Sequence, residues 1–146
     1  MRQQNNKGFT LVEILLVMVI IGVLAAMVVP KMAGQGKKAR IAAAKVDIDA
    51  NLATALDMYE LDNGAYPTTE QGLKALLHKP TTGPEPLNWN GPYLKKRRLP
   101  KDPWQREYVY VSPGTHNPDE YDLSSYGPDG VESDDDIVNW VDAPED

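Results

Sequence analysis

A long apolar run near the N-terminus constrains this chain more than any other feature. Residues 9–29 contain a single charge, Glu13, and are long enough to cross the hydrocarbon core of a bilayer as a helix. A carboxylate inside such a helix is costly and marks a function, so we expect Glu13 to have a cationic partner. The preceding residues carry Arg2 and Lys7 and no acid. Because positively charged flanks stay in the cytoplasm, we expect the rest of the chain outside it.

The residues that open this run distinguish two kinds of export signal. A secretory signal peptide has an apolar core of about 7–15 residues followed by a small-residue cleavage site. Here Gly8 precedes a longer core, and residues 25–27 (AAM) are a poor cleavage site. The order GFTLVE at 8–13 resembles the type III signal of type IV pilins and pseudopilins. The resemblance implies that a prepilin peptidase cuts between Gly8 and Phe9 and methylates the new N-terminus.

The same resemblance implies that Glu13 acts in assembly. The apolar half-helix would anchor the monomer in the bacterial inner membrane and form the core of a fibre once subunits assemble. Glu13 would then pair with the positive N-terminus of Phe9 on a neighbouring subunit. Leaving either charge unpaired in such a setting would be unfavourable by several kcal/mol.

A second helical stretch follows the apolar run. Residues 31–62 contain no proline, and their apolar side chains fall three or four positions apart. This spacing makes one stripe, formed by Ile41, Ala44, Ile48, Leu52, Ala55, Leu56 and Tyr59. We therefore predict one helix of about 50 residues, half in lipid and half backing a domain. Pro30 predicts a kink or local unwinding near residues 26–30, and Gly64 predicts a left-handed cap at the helix end.

Shorter elements are predicted for the remainder. Residues 65–73 favour a short helix with a hydroxyl N-cap, ending near His78, and residues 80–92 favour a loop. Residues 107–111 and 121–126 alternate and predict strands joined by a turn. Two or three antiparallel strands against the amphipathic half of the helix give an α+β domain.

Further segments extend the resemblance along most of the chain. They read YPTTEQGL at 66–73, GPYL at 91–94, DPW at 102–104, YGPDG at 126–130 and DIVNW at 136–140. These segments look like the major pseudopilin of type II secretion systems, which implies a pilin-like fold. The chain departs from that pattern at Gln105, where family members commonly have glycine. The segment between Gly130 and Asp136 is also shorter than in many members.

An acidic stretch near the C-terminus is the candidate metal site. Residues 129–136 (DGVESDDD) do not have the spacing of an EF-hand, and composition alone favours a solvated acidic tail. The pseudopilin resemblance reverses this preference, because it implies a structural calcium ion in this loop. The implied ligands are the side chains of Asp129, Asp134 and Asp135, with the carbonyl of Tyr126 and oxygens of Ser133 or Asp136 as further members. The chain has no cysteine, so the ion would replace a disulfide as the crosslink.

Charge and composition restrict the remaining functions. The formal net charge of −6 argues against nucleic acid as a partner. His78 and His116 have no cysteine beside them, and nothing resembles a nucleophile elbow, so we predict no catalysis. We expect a leader at 1–8, a transmembrane and fibre-core helix at 9–30, and a periplasmic domain at 31–146.

A subunit of the type II secretion pseudopilus is the function that the resemblance implies. Its partners would be further copies in a helical fibre, minor pseudopilins, the inner-membrane secretion platform and the prepilin peptidase. Two alternatives remain open. One is a type IV pilus subunit, although pilins more often close their C-terminal region with a disulfide. The other is a single-pass anchored calcium-binding module, which would need no processing after Gly8.

Overall fold

The computed structural model describes residues 8–141, apart from the side chains of residues 28–33. The predicted leader therefore lies outside the described residues, except for Gly8. The chain divides into two compact units, Met1–Lys38 and Ala39–Asp146.

The N-terminal unit is built from a helix whose apolar side chains are exposed. Helix α1 (Leu11–Val46) begins after Thr10, whose carbonyl and hydroxyl accept the N–H of Glu13 at 3.1 and 3.3 Å. Between Phe9 and Met27 the exposed fraction of the large apolar side chains lies between 47% at Val17 and 81% at Leu11. Within the part of the chain that the structure describes, no helix has both the length and the apolar character to cross a membrane.

Helix α1 passes through Pro30 as an uninterrupted α-helix. The local unwinding predicted near residues 26–30 is therefore wrong, whereas the kink predicted as its alternative stays a prediction. A proline removes a single backbone donor, and here the flanking turns keep their helical bonds despite that loss.

The change in helical geometry occurs further along the chain. Residues Asp47–Leu52 form a π-helical stretch, which leads directly into α2 (Ala53–Asn63). The carboxylate of Asp47 accepts the side-chain amide of Asn51 at 2.6 Å and the hydroxyl of Tyr108 at 3.0 Å. The predicted run is thus continuous, but it changes helix type at Asp47, which bonds Asn51 in its own turn and Tyr108 from a later segment.

The end of α2 agrees with the prediction. Gly64 has φ 80°, and its N–H donates to the carbonyl of Glu60 at 2.6 Å. Glycine adopts this left-handed conformation without the steric cost that a side chain would add.

The short helix predicted after this cap is wrong in extent, since only a 3₁₀ turn at Leu73–Leu76 forms. Thr68 and Gln71 instead close a turn, in which the backbone N–H of each donates to the other's side chain at 3.0 and 3.3 Å. The amide of Gln71 also donates to the carbonyls of Thr82 and Pro84, each at 2.9 Å. The capping residues therefore hold the proline-rich loop rather than start a helix.

A small antiparallel sheet completes the second unit. Strands β1 (Val109–Val111), β2 (Asp122–Ser125) and β3 (Ile137–Val138) pair in the order β1-β2-β3. Asn139 extends the β2–β3 pairing, because its N–H and side-chain oxygen bond the backbone of Leu123 at 3.1 and 2.8 Å. The α+β fold class is confirmed.

The core of this unit lies between the helices and the sheet. The predicted stripe is buried from Ala44 to Tyr59, and Ile41 packs against its edge. Its partners come from the 3₁₀ turn and the sheet region: Leu73, Ala75, Leu76, Tyr108, Tyr110, Tyr121, Leu123 and Ile137. Burial of each large apolar side chain contributes about 1.5–3 kcal/mol, so the stripe is a structural core rather than a ligand site.

Candidate functional site

The acidic loop, residues 126–136, connects β2 to β3. Gly127 and Gly130 adopt positive φ angles of 62° and 74°, which favour glycine. The N–H of Gly130 donates to the carbonyl of Tyr126 at 3.2 Å, and the N–H of Asp136 donates to that of Ser133 at 3.2 Å. Two tight turns therefore fold the loop back on itself.

This folding brings three carboxylates together. One oxygen from each of Asp129, Asp135 and Asp136 lies within 4.8 Å of the others. The hydroxyl of Ser133 lies 2.7 Å from Asp135 and 3.2 Å from Asp129. Since a hydroxyl has one hydrogen, it can satisfy only one of these two carboxylates at a time.

Within this group, Asp136 has a carboxylate oxygen that lacks a hydrogen-bond donor. Its Oδ1 is buried and has no hydrogen-bond partner. Burial raises the pKa of Asp136 above its ordinary value, and the charges of Asp129, Asp135 and Glu132 raise it further, while a backbone hydrogen bond from Ser133 lowers it. A cation near this oxygen would offset both the cost of burying the carboxylate and the repulsion from the neighbouring carboxylates.

The donor set fits a hard divalent cation, since every available ligand atom is an oxygen. Of the predicted ligands, Asp129, Asp135 and Asp136 come together, with Ser133 between two of them. Asp134 is not part of this group. It lines a groove of about 680 Å³ on the sheet, whose lining also includes Tyr126, Ser133 and Asp136.

His116 lines the same groove, and both its Nδ1 and its ring face have partners. Its Nδ1 lies 3.0 Å from Oδ2 of Asp122, and its ring stacks on Trp140 with centroids 4.1 Å apart. Asp122 also accepts the backbone N–H groups of Thr115, His116 and Asn117 at 2.7 to 3.0 Å. These contacts hold the His116 ring in place against the sheet.

A turn behind the acidic loop was not identified as part of the site from the sequence. It runs from Asp102 to Arg106, and its arginine contacts the first part of the loop. Gln105, which departs from the family pattern, has φ 70°. The backbone there is left-handed although the residue has a side chain. The sequence signal for this turn is the pseudopilin resemblance, which implies a glycine at this position.

Of the predicted assembly residues, Phe9 precedes α1 and Glu13 lies in its first turn. Phe9 is 79% exposed and Glu13 is also exposed. Among the described residues no basic side chain forms an ion pair with Glu13.

Comparison with known proteins identifies the family. A family model described as type II secretion system (T2SS), protein G, matches residues 31–140, and one described as prokaryotic N-terminal methylation motif matches residues 3–29. The type II secretion system core protein G of Pseudomonas aeruginosa is 52% identical over 145 residues, which cover 96% of this chain and 99% of that protein.

The chain belongs to the type II secretion system protein G family. The core protein G of Dickeya chrysanthemi is 55% identical over 140 residues, covering 94% of this chain and 88% of that protein. The crystal structure of the major pseudopilin from the type 2 secretion system of enterohaemorrhagic Escherichia coli matches with a TM-score of 0.65 at 48% identity, and covers 73% of this chain and 87% of that one. The pseudopilin resemblance is confirmed, and these matches favour it over a type IV pilin.

Proposed function

We propose that this chain is a structural subunit of a type II secretion pseudopilus, a periplasmic fibre that helps to drive folded proteins across the outer membrane. The observation that carries the proposal is the match of the protein G family to residues 31–140, together with the likeness to a major pseudopilin. The proposal includes no catalytic role.

The exposed apolar side chains of the N-terminal unit support anchoring followed by assembly. Side chains such as those of Leu11, Met18 and Met27 are 66% to 81% exposed, and water does not solvate so large an apolar surface favourably. We assign this surface to the inner membrane in the free subunit and to neighbouring copies in the fibre. The methylation motif at residues 3–29 supports this assignment.

Glu13 is proposed to set the register between copies. Its partner would be the N-terminal amine of Phe9, created when the peptidase cuts after Gly8. The match of the N-terminal methylation motif to residues 3–29, which include both Phe9 and Glu13, supports this pairing.

A secretion assay in cells that lack their own protein G tests the function. Expression of this chain with the matching secretion genes should restore export of the folded cargo. Intact-mass analysis of the membrane fraction should show a mature chain that begins with a methylated Phe9. Correct processing without restored export would contradict the secretion role, whereas a chain that begins elsewhere would contradict only the processing step.

The acidic loop is proposed to hold a structural calcium ion. Asp129, Asp135 and Asp136 would supply carboxylate oxygens, and the carbonyl of Tyr126 and the hydroxyl of Ser133 are available nearby. When bound, the ion would neutralise clustered carboxylates and crosslink the two ends of the loop. The buried Oδ1 of Asp136, which lacks a hydrogen-bond partner, supports this proposal.

Thermal unfolding of the full chain in detergent tests the ion. Calcium at a hundred times its dissociation constant should add about 2.7 kcal/mol to the free energy of unfolding. Magnesium should be less effective, because it dehydrates reluctantly and requires a tighter octahedron. Asp129→Ala should remove the calcium effect, whereas Asp119→Ala, an exposed acid outside the loop, should retain it. Identical melting curves with calcium and with chelator would contradict the metal site.

A further inference from the structure

The turn behind the acidic loop is organised around a buried carboxylate. Asp102 is only 1% exposed. Its Oδ1 accepts the backbone N–H groups of Trp104 and Arg106 at 3.0 and 2.8 Å, and its own N–H donates to the carbonyl of Arg106 at 2.9 Å. A buried carboxylate with this many donors fixes the backbone around it. The base of the Arg106 side chain therefore has a defined position.

From this position Arg106 bonds the carbonyl of Gly127, and Asp102 bonds the hydroxyl that accepts the N–H of Gly127. Nη1 of Arg106 donates to the carbonyl of Gly127 at 2.5 Å. The N–H of Gly127 donates to Oγ of Ser125 at 3.3 Å, and that hydroxyl donates to Oδ2 of Asp102 at 2.7 Å. These bonds form a closed ring that joins the turn, the end of β2 and the first residues of the loop.

The guanidinium group also covers the second left-handed glycine. A Cβ built on Gly130 would lie closer to Cζ and two nitrogens of Arg106 than non-bonded atoms approach each other. Only a residue without a side chain allows the guanidinium to lie this close. Arg106 thus contacts both glycines that set the path of the loop on either side of Asp129.

Arg106 contacts the loop without forming an ion pair with its carboxylates. Among the described residues Arg106 forms no ion pair with Asp129, Asp135 or Asp136. Its hydrogen bond goes to the backbone, so the three carboxylates remain available to a cation. A merely electrostatic role and a positioning role then predict opposite results. A nearby positive charge alone would weaken cation binding, whereas fixed ligand positions would strengthen it.

We propose that Arg106 is a positioning residue of the acidic loop: it fixes Gly127 and Gly130 and so holds Asp129 opposite Asp135 and Asp136. The inference rests on the calcium site proposed above as far as ion affinity is concerned. The positioning of the loop itself is a separate property, which can be measured without any ion.

Calorimetric titration of the full chain in detergent with calcium chloride tests the effect on affinity. Arg106→Ala should weaken calcium binding roughly ten- to hundredfold, as loss of an outer-shell partner does in metal sites. Arg106→Lys keeps the charge but loses the planar fork, so it should also bind more weakly. Arg98→Ala removes the same charge from an exposed residue that makes none of these bonds, and should leave the affinity unchanged.

Hydrogen–deuterium exchange in chelator provides the ion-free measurement. Arg106→Ala and Arg106→Lys should speed exchange of the loop amides at 127–136, while the amides of β2 and α2 keep their protection and show that the fold is intact. Unchanged loop exchange, or calcium affinity that is equal or tighter in Arg106→Ala, would overturn the proposal. Faster loop exchange in a protein whose unsubstituted form does not bind calcium would refute the metal site and retain the positioning role.

Discussion

The two units of this chain differ in the burial of their apolar side chains. In the second unit the stripe from Ala44 to Tyr59 is at most 2% exposed and faces partners from the same chain. In the first unit the side chains of Leu16 and Ile20 are 57% and 50% exposed. A continuous apolar run thus remains an open surface in the first unit, whereas an apolar stripe forms a core in the second.

This difference teaches where the stability of each unit originates. The second unit buries its own stripe against the 3₁₀ turn and the sheet, so most of its hydrophobic stabilisation is internal. The first unit has no such internal partner among the described residues, so its apolar surface is available to lipid or to other copies. Each substitution below changes one unit and uses the other as its reference.

The largest effect is expected from Glu13→Ala in the first unit. Removing the carboxylate removes the proposed partner of the Phe9 amine, and an unpaired charge in an apolar interface is strongly unfavourable. We expect membrane insertion and processing to persist and fibre assembly to be lost, as measured by crosslinked ladders and electron microscopy. Glu107→Ala, which removes an exposed acid from the second unit, is the control. Normal fibres with alanine at position 13 would contradict the pairing.

A matched pair of leucine substitutions measures the contrast in packing. Leu56 is fully buried, and Leu56→Ala should lower the free energy of unfolding of the second unit by about 2–5 kcal/mol. Leu16→Ala makes the same chemical change on the exposed surface and should alter it by no more than about 0.5 kcal/mol. Denaturant titration of the full chain in detergent compares them. Equal losses would show that the two units do not differ in this way.

Much of this contrast could be predicted from the sequence, because it depends on periodicity. The spacing from Ile41 to Tyr59 identified the core face, and Gly64 identified the helix end. The 3₁₀ turn at Leu73–Leu76 could not be predicted, since the side chain of Gln71 bonds the carbonyls of Thr82 and Pro84 instead of allowing a helix to begin. Those bonds depend on the fold of a loop more than ten residues away in sequence.

The candidate site could likewise be predicted only in part from the sequence. Its acidic residues were visible as a cluster, but composition could not determine which carboxylates converge. Convergence depends on the two left-handed glycines and on Arg106, whose contacts to Gly127 and Gly130 join distant segments. The continuous α-helix through Pro30 is a further case, because a local rule overestimated the effect of one missing donor.

A smaller effect is expected from acid titration of the second unit. Burial alone would raise the pKa of Asp122, but hydrogen bonds from His116, Asn117 and Thr115 outweigh it and lower the pKa below its ordinary value. A carboxyl whose pKa is lower in the folded state stabilises the fold above its unfolded-state pKa of about 3.9. That stabilisation should disappear as the pH falls through the folded-state pKa.

Asp122→Asn should therefore flatten the acid limb of the unfolding free energy below about pH 4. Equilibrium denaturation between neutral and acidic pH measures this, with Asp119→Asn as a control on an exposed acid. An acid limb as steep in Asp122→Asn as in the unsubstituted chain would assign the pH dependence to other carboxyls.

The smallest effect is expected at Gln105, where the second unit keeps a left-handed backbone without a glycine. A residue with a side chain at φ 70° costs about 1–2 kcal/mol relative to glycine, but glycine also gains about 0.4–1 kcal/mol of entropy in the unfolded chain. The two terms oppose each other, so Gln105→Gly should stabilise the second unit by roughly 1 kcal/mol or less. Denaturant midpoints compared with those of Gln105→Ala, which keeps the Cβ, would measure the difference. The alanine variant should not be stabilised, because the steric cost arises at the Cβ. If glycine and alanine gave the same stability, the bonds that Asp102 makes on either side of this residue, rather than its conformational preference, would determine the turn.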